Sequence, residues 1–343
     1  MTNGKNIDVK FGNLDEIFVS TDVILLEQLL EQAHTITRQY FGNTISLYAP
    51  IYISNFCENN CRYCGFQSPL KLKRKKLTKE EIAHECKIIS QRGLQSLLIL
   101  TGESRHHSPP EYIEGAIKIA KKYFPYIALE VYALSEEEYK RMYLAGADGI
   151  TLYQETYDPN RYDELHVSGP KKDFTYRFDA PERMAKAGIR QISMGILLGL
   201  SAWRDDVKAL FLHLQYMERK YHGVEYSLSF PRLKKIEGDE NSYIYVSDTE
   251  LLKIIAVSRI LFPRVGINLS TRETAIFRDV AILAGVTKIS AGSNTSVGGY
   301  GSETDANGQF AVSDTRSPAL IKAMLKDKGV DPIITDWRAI ENN

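Results

Sequence analysis

Apolar stretches rich in β-branched residues alternate eight times with segments of helical periodicity along this chain. The predicted strands span residues 46–54, 96–101, 127–132, 149–154, 191–198, 225–230, 266–270 and 288–291. Segments with apolar residues three and four apart lie between them, for example at 79–91, 111–123, 136–145 and 249–261. Two of these helices begin with the spacing of a capping box, Ser135 before Glu138 and Ser247 before Glu250. Such alternation predicts parallel strands that are joined by crossover helices.

Eight strand–helix units fit a closed barrel, in which near-continuous apolar strands are buried on both faces. We therefore predict an α/β fold, a (β/α)8 barrel of the TIM type with an N-terminal helical extension. The alternative is an open, doubly wound sheet. The predicted extension covers residues 1–45, and the barrel covers 46–343 with a C-terminal helix and tail. About 25 residues after the eighth strand are rich in Gly, Ser and Asn, which is typical of a surface loop or a lid.

The charge balance argues against a nucleic-acid-binding protein. The 343 residues include 43 Lys and Arg and 43 Asp and Glu, whereas nucleic-acid-binding domains carry a basic excess. No apolar run approaches the roughly 18 residues of a membrane helix, and the N-terminus lacks the pattern of a signal peptide. We therefore expect a cytoplasmic protein that binds neither nucleic acid nor membranes.

The cysteines are unevenly placed, with Cys57, Cys61 and Cys64 close together after the first predicted strand and Cys86 alone. In a reducing compartment such a group favours metal or redox chemistry over disulfides. A cubane iron–sulfur cluster has four irons, so three thiolates would leave one iron free to bind a small molecule. A structural zinc site would need a fourth ligand, for which His84 and Cys86 are the nearest candidates.

The spacing Cys-x3-Cys-x2-Cys, with Tyr63 before the last cysteine, resembles the radical S-adenosylmethionine superfamily. Four further segments resemble its aromatic amino acid lyase branch, namely 154–157 (Gln-Glu-Thr-Tyr), 230–233 (Phe-Pro-Arg-Leu), 269–273 (Leu-Ser-Thr-Arg-Glu) and 298–300 (Gly-Gly-Tyr). Within that branch, the segment 335–338 (Thr-Asp-Trp-Arg) is similar to the tyrosine lyases of thiamine thiazole synthesis. The resemblance extends over nearly the whole chain from about residue 36.

This resemblance implies one 4Fe–4S cluster, held by three cysteines and by S-adenosylmethionine. It implies cleavage of the Cα–Cβ bond of L-tyrosine to 2-iminoacetate (dehydroglycine) and 4-methylphenol (p-cresol). A one-electron donor such as flavodoxin or ferredoxin and the thiazole synthase protein are the implied partners.

Three other functions fit the same motifs. The tyrosine lyase of hydrogenase maturation shares features at 166–173 and 290–293, but it binds a second cluster through later cysteines, and no cysteine follows Cys86 here. A tryptophan lyase would differ only in its ring pocket. A non-catalytic iron–sulfur scaffold would not need the cofactor-binding residues that the resemblance assigns.

The resemblance also assigns roles to individual residues. The expected metal ligands are Cys57, Cys61 and Cys64. The expected contacts to S-adenosylmethionine are Tyr63 and Phe66 at adenine, Gly102 and Glu103 at the methionine amino group, Glu155 at the ribose and Arg183 at the carboxylate. The expected substrate contacts are Tyr52, Arg272 and Ser290.

Placement on the predicted barrel is consistent with these roles, because active sites of such barrels lie at the carboxyl ends of the strands. The cysteines follow strand one, Glu103 follows strand two, Glu155 follows strand four and Arg272 follows strand seven. Each of these residues also has an alternative interpretation without a functional role. The alternative is a surface position for Glu103, Glu155 and Arg183, and a salt bridge at the barrel rim for Arg272. The basic stretch 71–76 and the pair at 106–107 are interpreted as loops.

Overall fold

The eight predicted strands form a barrel in the computed structural model, which describes residues 6–234, 241–301 and 308–335. The strand ends differ from the prediction by one or two residues. The strands are β1 (Thr44–Ser54), β2 (Ser96–Thr101), β3 (Tyr126–Glu130), β4 (Gly149–Glu155), β5 (Gln191–Ile196), β6 (Glu225–Ser229), β7 (Gly266–Leu269) and β8 (Lys288–Ser290). Part of the predicted loop or lid, 302–307, and residues 336–343, including most of the motif at 335–338, lie outside the described residues.

All strand pairs are parallel, and β1 pairs with both β2 and β8. This second pairing closes the sheet, so the alternative of an open sheet is wrong. A short strand that the sequence did not predict, β9 (Asp331–Ile333), adds beside the start of β1. Closure gathers the carboxyl ends of all eight barrel strands at one mouth.

The described helices surround the barrel. Their bounds are α1 (Leu14–Val19), α2 (Val23–Phe41), α3 (Lys79–Gln91), α4 (Pro110–Ala120), α5 (Glu136–Ala145), α6 (Pro159–Leu165), α7 (Phe174–Phe178), α8 (Ala180–Lys186), α9 (Trp203–Lys220), α10 (Asp248–Leu261), α11 (Ala275–Ala281) and α12 (Pro318–Asp327). The capping boxes predicted at Ser135 and Ser247 are confirmed, and Thr78 begins α3 in the same way. None of the described helices is long and apolar enough to cross a membrane.

The N-terminal helices pack on the outside of the barrel. Helix α2 lies along α10, and the ring of Phe18 in α1 meets that of Trp203 edge-on at 5.2 Å. Leu14, Phe18 and Leu29 are almost fully buried in this contact region. Burial of large apolar side chains stabilises the extension on the barrel, at about 1.5–3 kcal/mol for each of them.

A buried ion pair fixes strand β8 near the mouth. Arg278 in α11 donates to the carboxylate of Asp314 and to the backbone carbonyl of Ser290, the last residue of β8. The Arg278 and Asp314 side chains are 1% and 0% exposed. A guanidinium buried to this extent depends on its carboxylate partner, because removal of one partner leaves an uncompensated charge.

We expect Asp314→Ala to lower the free energy of unfolding by about 3–5 kcal/mol, because Arg278 would stay buried without its counter-ion. Chemical denaturation followed by circular dichroism measures the change. The control is Asp15→Ala, which removes an exposed partner of Lys208 and should cost less than about 1 kcal/mol. Equal effects of the two substitutions would show that the buried pair has no special structural role.

Candidate active site

The cysteine loop follows β1 and is held in place from two sides. The guanidinium of Arg74 donates to the carbonyl oxygens of Asn55, Phe66 and Gln67 at 2.6, 2.9 and 2.7 Å, which joins the two ends of the loop. On the other side, backbone hydrogen bonds tie the loop to residues 165–168. Of the basic stretch at 71–76, Arg74 therefore has a structural role, whereas Lys71 and Lys76 are exposed.

The three thiols of this loop, on Cys57, Cys61 and Cys64, line one cavity of about 110 Å³ and form no disulfide. In the described part of the chain, no three His, Cys, Asp or Glu side chains converge closely enough to hold a single metal ion. Cys86 is buried in the main hydrophobic core and does not line the cavity. Burial raises the pKa of the Cys57 thiol and, more strongly, that of Cys61.

Two adjoining chambers make up the cavity at the barrel mouth. The cysteine chamber contains the three thiols, and the arginine chamber, of about 130 Å³, contains Arg272. Residues on their common wall line both chambers: Tyr52, Cys64, Leu100, Glu130, Tyr153, Glu155, Lys171 and Gln309. A group bound at the cysteines would thus lie next to a molecule bound beside Arg272.

Gly102 and Glu103 lie at the end of β2 against the cysteine loop. A Cβ atom on Gly102 would come within 2.4 Å of the carbonyl oxygen of Phe56, so only glycine allows this approach. The Glu103 carboxylate accepts a hydrogen bond of 2.7 Å from the side chain of Asn59. Asn59 also accepts from the backbone amide of Lys171 at 2.9 Å, and it is 1% exposed. Asn59, which the sequence analysis missed, therefore connects the loop to both walls.

Glu155 ends β4 in a strained conformation. Its φ of 75° is the one positive value among the described non-glycine residues, and it lies at an irregularity in the pairing with β5. Such conformations cost about 1–3 kcal/mol and cluster at functional sites. Burial alone would raise the pKa of Glu155, but Lys171 at 2.6 Å and Arg177 at 3.3 Å hold it below its usual range. The carboxylate is therefore ionised and faces both chambers.

Arg183 does not reach the cavity, which corrects the sequence-based assignment. Its guanidinium donates to the backbone carbonyls of Leu134 and Tyr176 at 3.0 and 2.6 Å and stacks on the Tyr176 ring. Arg177, six residues earlier in α7, lines the cysteine chamber instead and donates to the Tyr153 carbonyl at 2.6 Å. Arg177 and Arg183 are six residues apart, and the sequence alone does not show which of them faces the cavity. In the fold, where a short turn separates α7 from α8, Arg177 faces it.

The two aromatic residues expected at adenine lie in different chambers. Phe66 lines the cysteine chamber and meets the Tyr52 ring edge-on at 5.9 Å. Tyr63 lines the arginine chamber, and its hydroxyl is 2.7 Å from Nε2 of the buried His166. Of the two, Phe66 alone lines the chamber that contains all three thiols, whereas Tyr63 packs with Cys61 beside it.

The three expected substrate contacts all line the arginine chamber. The Tyr52 hydroxyl donates to the side-chain oxygen of Gln309 at 2.8 Å, and the Ser290 hydroxyl accepts from the backbone amide of Thr271 at 3.0 Å. Arg272 stacks on the Phe310 ring at 3.7 Å. Gln309 and Phe310 belong to the loop after β8, and no motif in the sequence indicated their role.

Arg272 carries a buried charge without an ion-pair partner in the described ranges 6–234, 241–301 and 308–335. Its neighbour Glu273 pairs with Arg232 instead. Burial lowers the pKa of the Arg272 guanidinium, because the attraction of Glu130 and Glu273 offsets only part of the desolvation of its charge. These observations do not support a rim salt bridge, and the chamber offers a fork of donors that suits a carboxylate ligand.

The histidine pair at 106–107 lies outside both chambers, as its interpretation as a loop predicts. The His107 ring stacks on Phe56 at 3.8 Å, and its Nδ1 is 3.0 Å from the Ser104 hydroxyl. Neither histidine lines the cavity. The pair therefore supports the cysteine loop from outside.

Two family models match the chain. Residues 51–213 match the radical SAM superfamily, and residues 229–331 match the Biotin and Thiamin Synthesis associated domain. Together they cover most of the barrel, with the cysteine motif in the first match and the motifs after β6 in the second.

Relatives with known names cover most of the chain. The 2-iminoacetate synthases of Salmonella typhimurium and Escherichia coli are 37% and 38% identical over 91% of this chain and 83% of their own length. The crystal structure of the FeFe-hydrogenase maturase HydG from Carboxydothermus hydrogenoformans has a TM-score of 0.90 and 32% identity, covering 97% of this chain and 77% of its own. Methylornithine synthase (PylB), at 22% identity and a TM-score of 0.79, shares the fold. The chain belongs to the radical SAM superfamily and, within it, to the family of the 2-iminoacetate synthases.

Proposed function

We propose that this chain is a radical S-adenosylmethionine tyrosine lyase that cleaves the Cα–Cβ bond of L-tyrosine to 2-iminoacetate and 4-methylphenol, for thiamine thiazole synthesis. The observation that carries the proposal is the pair of adjoining chambers, one with three thiols and one with Arg272, which has no ion-pair partner in the part of the chain that the structure describes. The names of the relatives with 37% and 38% identity support the same reaction.

The residues of the cysteine chamber fit a cluster with S-adenosylmethionine. Three free thiols, on Cys57, Cys61 and Cys64, line the cavity. Gly102 lies so close to the cysteine loop that there is no room for a side chain at its position. These three thiolates would hold the cluster, and the remaining iron site would be open to S-adenosylmethionine. When bound, the cluster and S-adenosylmethionine supply a 5′-deoxyadenosyl radical, which removes a hydrogen atom from the substrate amino group.

The remaining polar groups of this chamber match the parts of the cofactor. Glu103 presents a carboxylate to the methionine ammonium, and Glu155 presents one to the ribose hydroxyls. Arg177 replaces Arg183 as the proposed partner of the methionine carboxylate, because Arg177 alone of the two lines the chamber. Phe66 contributes an apolar face for adenine.

The arginine chamber would bind the amino acid. Arg272 holds the substrate carboxylate by two parallel hydrogen bonds, while Tyr52 and Ser290 contact the polar end of the molecule. The stacking of Phe310 on Arg272 keeps the guanidinium plane fixed. The wall that both chambers share then aligns the substrate amino group with the cofactor, and the closed cavity excludes water and stray hydrogen donors.

The reaction needs partners in the same compartment. A one-electron donor such as flavodoxin or ferredoxin would reduce the cluster, and exposed Lys71 and Lys76 flank the cysteine loop. The thiazole synthase protein is the proposed acceptor of 2-iminoacetate, which is unstable in water. A cytoplasmic location suits both partners and keeps the thiols reduced.

Replacement of Arg272 separates substrate binding from cofactor cleavage. We expect Arg272→Lys and Arg272→Ala to bind the cluster and still cleave S-adenosylmethionine slowly, but to make no 4-methylphenol at ordinary tyrosine concentrations. The lost charge-assisted contact costs about 1.5–3 kcal/mol, and misalignment of the amino group adds to it. Quantifying 5′-deoxyadenosine and 4-methylphenol by anaerobic mass spectrometry checks this, and 4-methylphenol at the wild-type rate from Arg272→Ala would refute the carboxylate role.

Iron content separates the thiamine-type lyase from the hydrogenase-maturation type. We expect the reconstituted chain to hold about four irons, the content of a single cubane cluster. Cys61→Ala should lose both iron and activity, whereas the matched control Cys86→Ala should keep both, because Cys86 packs in the core away from the cavity. Iron analysis with electron paramagnetic resonance measures this. About eight irons with two resolved clusters would instead favour the hydrogenase-maturation type.

The arginine pair provides a test of the cofactor site. We expect Arg177→Gln to weaken S-adenosylmethionine binding by roughly 10- to 150-fold, the effect of losing one charge-assisted hydrogen bond. Arg183→Gln, the matched control, should bind the cofactor as the wild type does, since its guanidinium contacts only backbone carbonyls and the Tyr176 ring. Anaerobic equilibrium dialysis measures both affinities, and the opposite ranking would restore Arg183 as the carboxylate partner.

A further inference from the structure

Glu130 is a carboxylate on the wall that the two chambers share. It is the last residue of β3, and the sheet register places it beside Leu100, which in turn lies beside Tyr52. It lines both the cysteine chamber and the arginine chamber. Its side chain therefore lies on the wall across which cofactor and substrate would meet.

This carboxylate has no partner within the described residues. Neither a hydrogen bond nor an ion pair within 4.0 Å engages it there, whereas Glu155 is held by Lys171 and Arg177, and Glu103 by Asn59. Burial, with a smaller contribution from Glu155, raises the pKa of Glu130 to about 7. The charged and titratable groups that act on it or respond to it are Glu155, Arg272, Lys171, Arg177, Tyr48, Tyr52 and Tyr153.

An α-amino acid in this cavity needs two complementary charges. Arg272 can hold its carboxylate, but the ammonium group needs an anion that is not already neutralised. Of the carboxylates that line the chambers, Glu130 alone is unengaged in the described part of the chain. A buried charge is stabilised by a ligand of opposite sign, so the ammonium and Glu130 would compensate each other's desolvation.

On the basis of the proposed function, we propose that Glu130 binds the α-ammonium group of the substrate and takes one of its protons. In this step an N–H bond breaks, its electron pair stays on nitrogen, and the proton forms an O–H bond with the carboxylate. No electron is gained or lost. The amine is then neutral when the cofactor radical removes a hydrogen atom from it. Glu130 is thus a catalytic residue, in contact with the reacting nitrogen.

The first test compares Glu130→Gln with Glu137→Gln, a control on an exposed carboxylate of α5. We expect Glu130→Gln to keep its iron and to lose about 100-fold or more in the rate of 4-methylphenol formation. Its residual rate should rise steeply with pH toward the pKa of the free amino group, because solvent must then remove the proton. The wild type and Glu137→Gln should not show this rise.

The second test measures binding and needs no turnover. The probe pair is tyrosine and 3-(4-hydroxyphenyl)propanoate, which lacks the amino group, and each is titrated into the cluster-loaded chain by anaerobic calorimetry. The wild type should prefer tyrosine by about tenfold or more, since the analogue leaves Glu130 unpaired. Glu130→Gln should bind the two compounds with nearly equal affinity.

Several outcomes would overturn the proposal. These are a wild-type rate of 4-methylphenol from Glu130→Gln, an unchanged preference for tyrosine in that variant, or selective loss of S-adenosylmethionine binding, which would place Glu130 at the cofactor. Failure of the proposed function gives a different result: the wild type itself would release no 4-methylphenol. The binding comparison still decides the role of Glu130 in that case.

Discussion

Closure of the parallel sheet is the constraint on which the site depends. Because β1 pairs with both β2 and β8, the carboxyl ends of eight strands meet at one mouth. Residues that are far apart in the chain, such as Cys57 and Arg272, therefore line adjoining chambers. An open sheet would leave the ends of β1 and β8 at separate edges, and the thiols and the arginine would then have no common wall.

Buried charges divide the mouth into structural and functional groups. Arg278 pairs with Asp314, and Arg74 donates to three backbone carbonyls; these contacts hold β8 and the cysteine loop. Arg272 and Glu130 have no such partner in the described residues, although burial disfavours the charged form of both. Although the two charges act on each other across the cavity, neither makes a direct ion pair within the described residues, and together they suit a ligand with a carboxylate and an ammonium group. An α-amino acid has this charge pattern.

The strained backbone of Glu155 is consistent with this division between charges that have partners in the protein and charges that do not. A non-glycine residue with φ of 75° is maintained only where its surroundings fix it, and the ion pairs with Lys171 and Arg177 do so here. Those contacts hold its carboxylate on the wall that both chambers share.

Local patterns in the sequence were enough to predict the strands, the capped helices and the cysteine triad, because each depends on neighbours within a few residues. The same holds for Gly102, Glu103, Glu155, Arg272 and Ser290, whose places at strand ends follow from the strand positions. The choice of Arg177 over Arg183, the chambers assigned to Tyr63 and Phe66, and the parts of Asn59, Lys171, Gln309 and Phe310 depend on contacts between segments distant in the chain. Glu130 was visible in the sequence as a charge in an apolar strand, but only the folded barrel decides that it has no hydrogen-bond or ion-pair partner among the described residues. Spacing along the chain determines which elements form, whereas burial and pairing of a charge are properties of the surroundings that closure of the barrel creates.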